Sequence, residues 1–143
     1  MQTARKMVRE DVPQDVATAP SNNKKLIWTG RVISALPILL LIFSGIMKLV
    51  KPPGLVQGFQ QFGLPLSIAT TLGILEIGCA VVYAIPRTAV LGAILVTGYL
   101  GGATATNVRV GESWILPVLF GVLAWAGLFL RDQRVRELIP FRR

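Results

Sequence analysis

Leu39-Leu40-Leu41-Ile42-Phe43 is the apolar centre of a run from Trp28 to Val50 in which Arg31 and Lys48 are the only charged residues. About 20 predominantly apolar residues suffice for an α-helix to cross the hydrocarbon of a bilayer, so this run reads as a first membrane span. Working outward, three more runs follow, from about Leu66 to Ile85, Ala89 to Thr106 and Trp114 to Leu130. Charges gather in residues 1–31, in the short connectors and in residues 131–143. Of the 143 residues 52% are hydrophobic and 15% charged. That apolar share is only slightly above the roughly 45–50% of soluble domains, so the segregation of charge decides the class.

The expected fold is all-α, an integral membrane four-helix transmembrane bundle running up-down-up-down. Residues 1–25 read as a disordered cytoplasmic tail, rich in polar residues and broken by Pro13 and Pro20. Residues 26–131 form the membrane domain and residues 132–143 a basic cytoplasmic tail. The first span is too long for a signal-peptide core and lacks a small-x-small cleavage site at its end, so it reads as an uncleaved signal anchor. Pro37 is expected to kink it, and Pro86-Arg87-Thr88 leaves only a tight turn between spans 2 and 3, which implies an antiparallel hairpin. Trp28 and Trp114 fall at span ends, where indole rings favour the interface.

Orientation follows from the basic residues flanking the spans. Lys24, Lys25, Arg31, Arg87, Arg131, Arg134, Arg136, Arg142 and Arg143 lie on one side, against Lys48, Lys51 and Arg109 on the other. The positive-inside bias places the first set, and therefore both termini, in the cytoplasm. The same bias accounts for the net charge of +8 without nucleic acid, for which no motif is present. Anionic lipid headgroups at the basic flanks are the expected partners. In the external connector Lys51 to Pro65, Leu55, Phe59 and Phe62 share one helical face, which fits either a short helix lying in the interface or a polar loop with two apolar contacts.

Chemistry is limited by what is missing. The chain has one cysteine, Cys79, and no histidine. An internal disulfide, a Cys-x-x-Cys redox pair, bis-His haem and a Ser-His-Asp triad are therefore excluded for this chain acting alone. No catalytic residue, metal ligand or cofactor is expected of it.

Glu76 is the residue that demands explanation. It lies near the middle of span 2, where a charged side chain costs about 2.5–3.5 kcal/mol on insertion scales. At 100° per residue Ala69, Gly73, Ala80 and Tyr83 share its face, while Ile74, Val81 and Ile85 lie opposite. Small residues mark helix contacts in membranes, so Glu76 is expected to face the bundle interior. On span 3, Ala93, Thr97, Gly101 and Thr104 form a comparable stripe, and Thr97 or Thr104 is expected to hydrogen-bond the carboxyl group. Glu76 is read either as a proton-titrating or ligand-coordinating group or as a hydrogen-bonded residue that pins the helices. Lys48 either snorkels to the headgroups or reaches inward as the counter-charge of Glu76. Gly45, Gly73, Gly98, Gly101 and Gly102 are expected to pack helices closely, with Gly98-x-x-x-Gly102 as a close-approach motif for a neighbouring helix or protomer. Asn107, Arg109 and Glu112 form a polar cluster in the second external loop, where an Arg109–Glu112 pair would be worth little. Cys79 and Tyr99 read as packing residues.

Three segments together carry a resemblance: Ser44-Gly45-Ile46-Met47-Lys48-Leu49, Leu72-Gly73-Ile74-Leu75-Glu76-Ile77-Gly78, and Ala103 to Glu112. In order and spacing they resemble the DoxX-like family of four-helix membrane proteins over roughly Ile27 to Leu138. Family members often carry histidine where this chain has Asn107, so no metal, haem or relay role transfers to that position. The resemblance implies a multi-pass protein of the bacterial inner membrane, a small auxiliary subunit of a quinone-linked redox assembly with soluble partners. It implies a site shaped between helices by Gly45, Lys48, Glu76 and the Thr106–Glu112 loop, with a groove beside Glu76 for a quinone or lipid-like ligand. Two other classes stay open. One is a small proton-coupled transporter using Glu76, as in small multidrug exporters, although there the glutamate lies in span 1. The other is a structural interaction protein, and a homo-oligomer fits any of the three.

Overall fold

Apolar helices with no break between their ends dominate the chain because nothing in them competes with the backbone for hydrogen bonds, and in lipid every backbone group must be satisfied internally. The structure, a computed structural model, describes residues 21–138, and side chains from Lys24 onward. Helix α1 is Ser21–Val50, α2 Pro53–Gln61, α3 Ala69–Ala84, α4 Ala89–Arg109, α5 Ile115–Arg131 and α6 Gln133–Leu138, with a 3-10 turn Leu66–Ile68 leading into α3. There is no strand among the described residues.

Three helical stretches are long and apolar enough to cross a membrane: Lys24–Val50, Leu66–Ala84 and Ala89–Arg109. Ile115–Arg131, at 17 residues, stands at the short end of the spanning range of about 17–25. Their outer faces are apolar as well: Leu39, Phe43, Ile74, Leu91, Ile94, Ile115 and Val122 are all exposed. A helix apolar on every side belongs in lipid or in a large core, and this chain is too small for the latter.

Two boundaries differ from the sequence reading. Residues 21–25, expected in the N-terminal tail, open α1, and α4 continues three residues past Thr106 to Arg109. Residues 1–20 and 139–143, the bulk of the first tail and the end of the second, lie outside the described residues. Pro37 is buried inside α1, which remains one helix. The connector after α1 is a helix rather than a loop: Pro53 opens α2, and Phe59 on its inner face is buried. Proline suits a first helical position because its missing N–H has no partner there.

Helix α1 packs on both α3 and α5, α3 packs on α4, and α4 on α5, so the contacts close a ring. Leu41, Ala80, Tyr83, Ala93, Val96, Ala124 and Leu128 fill its core. The α1–α3 contact is set by two glycines. A Cβ on Gly73 would stand 2.8 Å from the Gly45 carbonyl oxygen, and one on Gly45 would stand 2.6 Å from an Ile77 side-chain carbon. Backbone approach of this kind is how membrane helices gain dispersion contact without a hydrophobic drive between them.

At one end of the ring α2 and the α4–α5 connector are tied together. Arg109 donates to the Phe62 carbonyl at 2.6 Å, and the Gln61 side-chain amide donates to the Glu112 carboxylate at 2.7 Å. The Arg109–Glu112 pair considered from sequence is thus replaced by two contacts to α2. At the other end, residues from the start of α1, the Pro86-Arg87-Thr88 turn and the end of α5 line one cleft.

Candidate functional site: an ion pair between α1 and α3

The predicted inner face of α3 is the buried one. Ala69, Gly73, Glu76, Ala80 and Tyr83 are buried, and Ile74, Val81 and Ile85 are exposed. Lys48, in the last turn of α1, has its Cβ against Gly73, where an added Cβ would lie 3.1 Å away. Glu76 is three residues further along α3, about 4.5 Å along the axis at 1.5 Å per residue. The lysine stem bridges that turn. Its Nζ donates to Glu76 Oε2 at 2.6 Å and to Ser44 Oγ at 2.7 Å.

Lys48 therefore reaches inward rather than snorkelling outward. Its side chain is 15% exposed and that of Glu76 only 4%. This is the one ion pair among the described residues. Tyr99 of α4, half-buried, lies near Glu76. Tyr99 also packs against the core, as expected of it from sequence, and Cys79 lies within that core.

The threonines expected here are elsewhere. Thr97 donates to the Ala93 carbonyl of its own helix at 2.7 Å and accepts a hydrogen bond from the Trp125 indole at 2.8 Å. Thr104 donates to Leu100 O at 2.8 Å. The expected bond from either to Glu76 is corrected: the buried face of α4 is a different one, that of Ala89, Gly92, Ala93, Val96 and Leu100. The reason is Gly92, where any Cβ would overlap the backbone N and Cα of Tyr83. Gly98, Gly101 and Gly102, expected to pack against a neighbouring helix or protomer, meet no other helix of this chain among the described residues. They are exposed, with nothing within 4 Å of their Cβ directions among the described residues. Asn107 serves the connector, its side-chain amide donating to Ser113 O at 2.9 Å.

An open apolar trough of about 610 Å³ runs between α4 and α5, lined by Thr97, Gly101, Thr104, Gly121, Trp125 and Phe129 among others. Its hydrogen-bond donors are already committed, since the Trp125 N–H and both threonine hydroxyls have acceptors.

A second polar layer, unforeseen from sequence, lies further along α3. The Tyr83 hydroxyl donates to the Ala124 carbonyl at 2.6 Å and stands 3.0 Å from Ser34 Oγ. Arg131 donates to the Tyr83 carbonyl at 2.8 Å, and its guanidinium lies 4.7 Å from the centre of the Tyr83 ring. A cation held over an aromatic face adds to the hydrogen bond. Tyr83 thus joins α1, α3 and α5.

The family model of the DoxX-like family matches residues 32–127, from the first turns of α1 to near the end of α5. The chain belongs to the DoxX-like family. The match includes Lys48, Glu76 and Tyr99, and leaves α6 and Arg131 outside. It is narrower than the resemblance over Ile27 to Leu138. No curated protein and no solved structure matches the chain. Within this DoxX-like membrane protein the ion pair is the feature with most chemical content. It sets two opposite charges face to face inside the apolar ring, where each removes the need for the other to find water.

Proposed function

We propose that this DoxX-like protein is a non-catalytic auxiliary subunit of a quinone-linked redox assembly in the bacterial inner membrane. Its four spans form a transmembrane bundle running up-down-up-down, with both termini in the cytoplasm. The topology is supported by the two ends of the ring. One gathers α2 and the α4–α5 connector. The other gathers the start of α1, the α3–α4 turn and the end of α5, together with most of the basic residues.

The observation that carries the functional reading is the Lys48–Glu76 contact at 2.6 Å. Glu76 is the sole acid within a span, and the chain's own lysine engages it. A proton-coupled carrier needs an acid that exchanges its proton with substrate in an accessible site, and this one is filled. An auxiliary subunit needs from such a pair only that it fix how α1 seats on α3. The trough between α4 and α5 suits an apolar tail better than a quinone ring, whose carbonyls would find no uncommitted donor there. The tail of a quinone or lipid docks in it, and the redox chemistry belongs to partner proteins.

Trp125 lies in the trough, so a W28F/W114F variant makes tryptophan fluorescence report on it alone. Quinones carrying a long alkyl tail quench that signal in nanodiscs, and ring-matched quinones without the tail do not. Equal quenching by both defeats the tail-binding reading. Thiosulfate-dependent quinone reduction by the isolated, cofactor-free subunit would defeat the auxiliary one.

A further inference from the structure

The tail-bearing end of the ring holds a cleft of about 330 Å³ that the preceding reading does not use. Arg31 from α1, Arg87 from the α3–α4 turn, Arg131 from the end of α5 and Arg134 from α6 all line it. One carboxylate, Asp132, lines it too. None of these arginines makes an ion pair with Asp132 or with any other acid among the described residues. Asp132 is turned to local work, its Oδ1 accepting the backbone N–H of Arg134 at 3.0 Å.

Four guanidinium groups from three chain segments, Arg131 and Arg134 sharing the last, repel one another in this cleft, and an anion between them relieves that repulsion. Arg131 is held in place by the Tyr83 carbonyl and ring, so one wall of the cleft is rigid. Arg31, Arg87 and Arg134 are exposed and make no described side-chain hydrogen bond, which leaves their donors for a ligand. The planar fork of a guanidinium matches tetrahedral oxyanions, and phosphate most of all. The depth of the cleft is marked by Trp28, next to the lining residue Ile27 and exposed on the outside of α1, where an indole rests at headgroup level.

We infer that this cleft is a binding site for a phosphate group, supplied by the headgroup of an anionic phospholipid or by soluble phosphate. Either source neutralises the end of the ring where α1, α3, α4 and α5 meet. The site is independent of the trough and of the quinone reading, because no residue lines both.

The test uses the full chain in nanodiscs of phosphatidylcholine with and without phosphatidylglycerol. Lipid retained on release is counted by native mass spectrometry, and thermal stability in detergent is followed with added inorganic phosphate. R31Q/R87Q removes two cleft charges at exposed positions without touching Tyr83, and R134Q is the second cleft variant. K24Q/K25Q removes two charges from the same end of α1 outside the cleft. With lipid as the source, phosphatidylglycerol retention falls roughly thirtyfold in R31Q/R87Q, as two headgroup contacts of about 1 kcal/mol each require, and changes little in K24Q/K25Q. With soluble phosphate as the source, phosphate raises the melting temperature of the wild type, and R31Q/R87Q and R134Q lose that rise. Equal losses in the cleft and control variants would show general surface attraction and overturn the site. So would the absence of both retention and stabilisation in the wild type.

Discussion

Gly92 of α4 lies directly against the backbone of Tyr83 in α3, so close that no side chain fits between them. This contact rotates α4 so that Val96 and Leu100 enter the core and Thr97 and Thr104 leave the neighbourhood of Glu76. It follows that Gly92→Ala forces α3 and α4 apart, with an expected loss of about 1–3 kcal/mol, the usual range for overpacking. Gly98→Ala, with open space at its Cβ, is expected to be neutral. Thermal unfolding of the two variants in the same detergent compares them directly.

Tyr83 gives a second prediction. Tyr83→Phe removes the bonds to Ser34 and Ala124 while keeping the ring beneath Arg131. The expected loss is about 0.6 kcal/mol, and up to about 1.7, as for interhelical hydrogen bonds in other membrane bundles. Ser34→Ala is expected to cost less, because the Ala124 carbonyl still receives the Tyr83 hydroxyl. A Tyr83→Phe/Ser34→Ala cycle should show coupling between the two, and strict additivity would mean the bond contributes nothing.

What the sequence disclosed and what it withheld can be traced to these helices. The buried face of α3 was legible because Ala69, Gly73, Glu76, Ala80 and Tyr83 fall on one 100° wheel, with Ile74, Val81 and Ile85 opposite. For α4 the wheel offers two faces rich in small residues, one through Ala93, Thr97 and Gly101 and one through Ala89, Gly92 and Val96. Periodicity cannot choose between them. The choice was made by backbone contact with a residue on another helix, which one chain's hydropathy does not encode. Lys48 was ambiguous for a related reason. Its reach to Glu76 depends on how far α1 is shifted along α3, and the Gly45–Gly73 contact sets that shift. The glycines were visible in the sequence, but their pairing was not. The Trp125–Thr97 bond and the cleft of arginines required helices distant in the chain to be placed side by side.

The orientation is checked by labelling. In a Cys79→Ala background, a single cysteine replacing Gln57 or Ser113 is expected to react with an impermeant thiol reagent in intact cells. One replacing Asn23 or Gln133 should be protected until the membrane is opened. Labelling of the Asn23 position from outside would reverse the assignment of both termini.

The ties at the other end can be tested by substitution as well. Arg109→Gln breaks the bond to the Phe62 carbonyl and frees α2 from the α4–α5 connector. Amide exchange of residues 53–61 is then expected to quicken, while that of α3 and α4 stays unchanged. The change in overall stability should stay within about 0.5 kcal/mol, as for exposed positions generally.

The central claim is that Lys48 and Glu76 act as a pair that seats α1 on α3, and a double-mutant cycle on their charges tests it most directly. Glu76→Gln strands the Lys48 ammonium and Lys48→Gln strands the carboxylate, and breaking a buried pair typically costs about 3–5 kcal/mol. Because Lys48 keeps 15% of its side chain exposed and has a stem long enough to swing outward, Glu76→Gln should fall below that range, near about 2–3 kcal/mol. Lys48→Gln should cost more, since the carboxylate is 4% exposed and cannot swing out. The double variant carries no charge and two amides able to bond each other, so the account predicts stability in detergent closer to wild type than either single variant. If Glu76→Gln alone is as stable as wild type and the double variant adds the two single effects without coupling, the residues are not a structural pair.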